Sequence, residues 1–263
     1  MEASYMAIFS ESKRIELIIS NVLGDRKDIK VKIHFSDNMY MDALKYCKNS
    51  EYLKFLETFP AERKAEANKL NGLYLYPEDL TEIQPILVSE TQRNDGCSHF
   101  STIAHEVQHA KNNTVFCEKY CMGKINDIAD SHYYSSFQIW DEFAARRTGH
   151  RIYLKLVLRE MNHYSKARVK DLIQSEEIPA RLDEIRILLN QEKNNEMYKR
   201  LCEKMAFFNV WKTEYDIEIE PYLDAWTIEL YSCLTKYDSI EQVDFNELDN
   251  ELGKLWHSMP SKQ

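Results

Sequence analysis

Five consecutive residues, His105-Glu106-Val107-Gln108-His109, combine side chains that can hold a metal ion with one that can move a proton beside it. On a helix, residues four apart share a face, so the two imidazoles converge on one point. Neutral imidazole is a good zinc ligand, and two of them define one edge of a tetrahedron. Glu106 follows the first histidine directly and points beside the ion, where it can accept a proton from water that the ion has acidified. Each residue type in the pattern thus has a separate task. The bland alternative is a helix whose two histidines merely bond to their neighbours.

Two histidines do not complete a catalytic zinc site, which normally has three protein ligands and one open position. The leading third ligand is Glu142, in the run Phe137-Gln138-Ile139-Trp140-Asp141-Glu142-Phe143-Ala144-Ala145-Arg146. It flanks an apolar stripe of Trp140, Phe143 and Ala144, so its carboxylate can project toward a neighbouring helix. Asp141 and His150 are the alternatives. A surface ion pair between Glu142 and Arg146, four residues on, is the competing structural explanation. Stabilising a developing oxyanion opposite the metal needs one more group. Tyr133, Tyr134, His132 and His163 all qualify. Tyr134 is taken as the catalytic candidate, although the chain has 16 tyrosines and most of them must be packing.

The elements that must position these groups can be read from periodicity. Ser98 is a suitable N-cap for the histidine helix, and Phe100, Ile103, Ala104 and Val107 give it an apolar face. The run from Phe137 reads as part of a second helix over 135–160, with Ser135 and Gln138 spaced as a capping box. Upstream, helical spacing over 5–22 breaks at Gly24-Asp25. Ile29, Val31, Ile33 and Phe35 then alternate with polar residues as in a half-buried strand. A polar helical stretch spans about 39–70 with a break at Pro60. Short strands are expected at 73–76 and 85–89, followed by a turn at Asn94-Asp95-Gly96. Beyond 115 only helices fit, at 180–192, 195–214, 219–236 and 245–257. Six glycines and six prolines are sparse punctuation for such a chain. Strands with helices first, then helices alone, make an α+β protein with a helix-rich C-terminal part.

Bulk properties narrow the partners. A net charge of -9 argues against a nucleic-acid binder that works by neutralising phosphates. The opening Met1-Glu2-Ala3-Ser4-Tyr5 is not read as a secretory leader. No stretch approaches the roughly 18 uninterrupted apolar residues that a bilayer span needs. No membrane partner is expected, and the expected location is cytoplasmic. The six cysteines are scattered and read as free, buried thiols. A second metal group of Cys97, Cys117 and Cys121 is the weaker reading, because the spacing is not that of a zinc ribbon.

The helix His-Glu-Val-Gln-His-Ala, followed later by Trp-Asp-Glu-Phe-x-Ala, resembles the gluzincin branch of the zincin metallopeptidases. Within that branch it is similar to the compact ImmA/IrrE-like peptidases, over roughly residues 28–160. The resemblance implies a zincin-like core with a small mixed sheet, placed in residues 1–164; it does not extend to 165–263, which periodicity alone reads as a helical region packed on that core. It further implies zinc held by His105, His109 and Glu142, Glu106 as general base, and peptide or protein substrates aligned on an edge strand, here 85–89. One position departs from the pattern. Many gluzincins carry an aspartate four residues after the ligand glutamate, and here Arg146 stands there. The group that orients the histidines must therefore come from elsewhere. Two other functions fit the same residues: hydrolysis of non-peptide amides or esters, and a zincin-fold scaffold that binds a regulatory protein partner.

Overall fold

The structure is a computed structural model that describes residues 9–94 and 98–260. Cys97 and most of the expected turn at 94–96 lie outside the described residues. Helix α1 (Glu11–Leu23) is capped by the Ser10 hydroxyl and ends at Gly24, whose φ of 61° suits glycine. Strand β1 (Lys30–Ser36) follows; the expected alternation holds over Lys30–Ile33, while His34 is half-buried like its neighbours and Ser36 is buried.

The polar stretch then forms three helices, α2 (Met39–Tyr46), α3 (Ser50–Glu57) and α4 (Ala61–Ala67). Pro60 breaks it as expected. The second break comes at Asn49, whose side chain caps α3 by accepting from the Tyr52 amide at 2.8 Å. Strands β2 (Gly72–Tyr74) and β3 (Ile83–Ser89) complete the sheet, and α5 (Glu90–Asn94) follows β3.

The sheet is small and mixed, in the order β1-β3-β2. β3 runs parallel to β1, with Ile33 opposite Ile86, and antiparallel to β2, with Leu73 opposite Leu87. Residues 85–89 are therefore central and do not form the edge that the resemblance implied. Packing gives the reason. Ile86 and Val88 enter one apolar cluster with α1 and the helix over 99–120, while Leu87 enters another with α2 and α3. A strand covered on both faces reads as an unbroken apolar run, and Pro85-Ile86-Leu87-Val88 is one. The edge nearest the histidine helix is β2.

Helix α6 (His99–Tyr120) carries the histidines, with Ser98 at its N-cap position as expected. Phe100, Ile103, Ala104 and Val107 are fully buried against the sheet. Helix α7 (Tyr134–Ile152) returns antiparallel, and Phe116 stacks on Phe137 with ring centroids 4.0 Å apart. Its N-cap is Tyr133. Gln138 donates to the Tyr134 hydroxyl at 2.6 Å, so the expected capping box does not form. After Ile152 the chain winds more widely, as a π-helix over Tyr153–Met161.

Among the described residues five α-helices follow: α8 (Lys166–Leu172), α9 (Ile178–Leu189), α10 (Asn195–Tyr215), α11 (Ala225–Thr235) and α12 (Phe245–Ser258). The expected helix over 219–236 begins only at Ala225, where Asp224 caps it. One apolar cluster joins Val115, Phe116 and Trp140 to Trp211, Leu230 and Phe245, so the C-terminal helices and the α6–α7 pair share a core. Among the described residues no helix is long and apolar enough to cross a membrane.

Gly149 sets how closely α6 and α7 approach. A Cβ there would stand 2.9 Å from the Ser101 carbonyl oxygen and 3.2 Å from His105 Cβ. The Ser101 hydroxyl donates to the Gly149 carbonyl at 2.9 Å across the same contact. In an open helix, Gly→Ala stabilises by about 1 kcal/mol. Gly149→Ala is expected to do the opposite, destabilising by about 1–3 kcal/mol through overpacking. Urea unfolding measures the sign, and a raised midpoint would contradict the close approach.

Candidate metal centre

The meeting of α6 and α7 places three donor groups together. His105 Nε2 and His109 Nε2 are 3.0 Å apart. His105 Nε2 lies 3.4 Å from Glu142 Oε1, and His109 Nε2 lies 3.7 Å from Glu142 Oε2. Ligands about 2.0–2.1 Å from a tetrahedral ion stand roughly 3.3–3.4 Å from one another. The closest approaches lie near that value, and one donor atom from each residue falls within 4.8 Å of the others, so the group could hold a metal ion. Among the described residues this is the one group of histidine, cysteine and carboxylate side chains spaced to hold a metal.

The other candidates fall elsewhere. Asp141 turns to the back of His109, where its Oδ2 meets His109 Nδ1 at 2.7 Å. His150 is buried, and its Nε2 accepts from the Trp211 indole at 3.0 Å. Burial in that setting, with Arg181 and Arg146 nearby, pushes its pKa down to about 3. Cys117 and Cys121 are buried free thiols whose pKa values burial raises.

Asp141 supplies the orienting contact that Arg146 cannot. It belongs to a hydrogen-bonded chain across the two helices. Thr148 donates to Gln108 Oε1 at 3.0 Å, and Gln108 Nε2 donates to Asn112 Oδ1 at 2.7 Å. Asn112 Nδ2 then donates to Asp141 Oδ1 at 2.8 Å. Asp141 thus has both oxygens engaged, and the His109 ring is held with Nε2 toward Glu142. Gln108, an unspecified position in the motif, is part of this support. Sequence reasoning missed the chain, although Asn112 lies one turn beyond both Gln108 and His109.

Burial sets the electrostatics. The His105 ring is held well below its ordinary pKa by burial and by the neighbouring His109. Burial also works against charge on His109, but Asp141, reinforced by Glu142 and Glu106, overrides it and lifts the pKa to about 9. For Glu142 the cost of burial is outweighed by His105, His109, Lys199 and Arg146, which hold its carboxyl low.

Glu106 is buried, and this raises its pKa to about 7 despite the attraction of His109. A carboxylate with that basicity is matched to taking and returning a proton near neutral pH. The Tyr74 amide donates to Glu106 Oε2 at 2.9 Å, tying the carboxylate to β2. Gly72 leaves it room, since a Cβ there would come within 2.6 Å of Glu106 Oε1.

These groups line a cavity of about 640 Å³. Tyr134, Tyr76 and Tyr52 also line it, together with Arg146 and, from the C-terminal part, Lys199 and Phe207. His132, Tyr133 and His163 lie outside the lining. Tyr133 instead packs edge-on against Tyr120 at 5.4 Å. Tyr134 is thus the sequence candidate that reaches the cavity. Tyr76 and Tyr52 are additions that no sequence signal separated from packing tyrosines.

No protein-family model matches the chain, and neither a curated protein nor a solved structure matches it. Geometry alone therefore carries the assignment of roles. Asp141→Asn, which removes the charge behind His109, is expected to weaken zinc binding about 10- to 100-fold in chelator competition. An unchanged affinity would remove Asp141 from the support of the site.

Proposed function

We propose that this chain is a zinc-dependent hydrolase of the gluzincin type, acting on peptide bonds. The observation that carries the reading is the set of three donor groups, with one atom of each within 4.8 Å of the others, and the Glu106 carboxylate bordering the same cavity. His105, His109 and Glu142 would hold the ion, leaving one position open to the cavity. When bound, zinc supplies Lewis acidity that polarises a carbonyl and lowers the pKa of water from 15.7 toward about 7.

The remaining steps belong to the chain's own residues. Glu106 takes the proton of the attacking water and delivers it to the leaving amine. Its tie to the Tyr74 amide fixes one oxygen and keeps the carboxylate from swinging away. Asp141 keeps the His109 ring in one orientation. Tyr134 is placed on the cavity wall to donate a hydrogen bond to the developing oxyanion.

A peptide is favoured over other amides and esters by the sheet edge beside the cavity. Asn71 and Leu75 bond to β3, so the alternating residues Gly72 and Tyr74 turn their backbone groups away from it. The Tyr74 amide duly meets Glu106. Both Gly72 and Tyr74 line the cavity, where an extended chain could lie alongside β2.

Two substitutions separate the roles. Glu106→Gln is expected to retain zinc while losing most peptide turnover, because the amide cannot accept the proton. His105→Ala is expected to lose the zinc itself. Elemental analysis of the purified proteins, with cleavage profiling of a proteome digest, measures both. Wild-type turnover in Glu106→Gln would overturn the mechanism.

A further inference from the structure

Two cations stand beside the ligand carboxylate without closing on it. Arg146, one turn beyond Glu142 on α7, reaches Glu142 Oε1 only at 3.4 Å, and Glu203 on α10 at 3.6 Å. Lys199, also on α10, reaches Glu142 Oε2 at 3.5 Å, and among the described residues it has no other ion pair. Elsewhere among the described residues the ion pairs run up to 3.6 Å, as in Lys111–Glu241, but the close ones are much shorter. Lys155–Glu214 is 2.6 Å, Lys204–Glu184 is 2.7 Å and Arg151–Glu214 is 2.8 Å. Charge-assisted hydrogen bonds normally close to about 2.7–2.9 Å. The three contacts around Arg146 and Lys199 are not closed in that way.

Both side chains line the cavity, and each is about two-thirds shielded from solvent. Covering them that far weakens their hydration without giving either a close carboxylate. Once the Glu142 carboxylate is committed to a metal ion, Lys199 keeps no carboxylate of its own. The cavity then presents positive charge on its α7–α10 side, where a polar substrate group can answer it.

We propose that Lys199 and Arg146 form an anion-binding corner that takes a carboxylate of the peptide substrate, within one or two residues of the bond to be cut. The short range follows from placement. Lys199 is 3.5 Å from a ligand of the candidate metal, and each extended residue advances the chain by about 3.3–3.6 Å. The carboxylate is either the peptide's own C-terminus or an acidic side chain. This inference rests on the peptidase reading. Lys199 also gives the C-terminal helices a part in the site, since α10 contributes this charge to the cavity wall.

Calorimetry on the zinc-loaded Glu106→Gln protein tests it by binding alone. Three probes distinguish the sources: acetyl-leucyl-alanine, its C-terminal amide, and acetyl-leucyl-aspartate amide. If the C-terminus is the anchor, the first binds about tenfold or more tightly than the second, the size of one charge-assisted contact. If a side chain is the anchor, the third shows that advantage instead. Either preference is expected to collapse when Lys199→Met is added, and to shrink with Arg146→Met, while zinc content and the circular dichroism spectrum are retained.

Equal binding of all three probes, or a preference unchanged in both variants, would overturn the inference. So would a loss of affinity in Lys199→Met that is the same for acid and amide, which would mark an oxyanion contact. Failure of the Glu106→Gln protein to retain zinc would overturn the hydrolase reading first, and this inference with it.

Discussion

Everything at the candidate centre depends on the close antiparallel contact between α6 and α7. Helical spacing on α6 already brings two imidazole nitrogens to 3.0 Å, and the contact sets the α7 carboxylate against both. Bringing polar groups together inside a protein is unfavourable unless their charges and hydrogen bonds are satisfied. Asp141 satisfies one face of His109, and the Thr148–Gln108–Asn112 chain satisfies Asp141. A bound divalent cation would satisfy what is left. The contact itself is set by a residue without a side chain, Gly149, lying against the Ser101 backbone.

The sequence revealed the chemistry more readily than the frame. His105 and His109 at helical spacing, with Glu142 beside an apolar stripe, pointed to one another before any fold was known. The structure brings those three together. What supports them was not legible. Asp141 was weighed as a rival ligand because a carboxylate's type does not disclose which side of a ring it will meet. Arg146 stands where the resemblance would have an orienting aspartate, and the contact to His109 comes from Asp141, next to the candidate ligand Glu142. Lys199 could not be found from the motif at all, because nothing local ties α10 to α7.

In the fold, the helices and strands that rest on strong periodicity were legible, and their edges were not. Asn49 ends one helix and caps the next, yet a lone asparagine in a polar stretch gives little warning. The resemblance makes the strand expected at 85–89 an edge, although its unbroken Ile86-Leu87-Val88 run fits burial on both faces. Assigning the edge to β2 changes what lies beside the cavity, since Glu106 accepts a hydrogen bond from that strand. The sheet edge and this carboxylate are one mechanical unit.

Helix α6 is a wall shared by two apolar clusters. Phe100, Ile103, Ala104, Val107 and Ala110 pack with the sheet, while Val115, Phe116 and Cys117 pack with the C-terminal helices. Neither half can open without stripping one end of the same helix of its packing, so the molecule should lose structure in one concerted step. A protease nick in the C-terminal helices would then be felt in the ligand geometry. Severing the chain near residue 164 would strand Phe116, Phe137 and Trp140 in water, leaving a sticky fragment in place of a smaller folded unit.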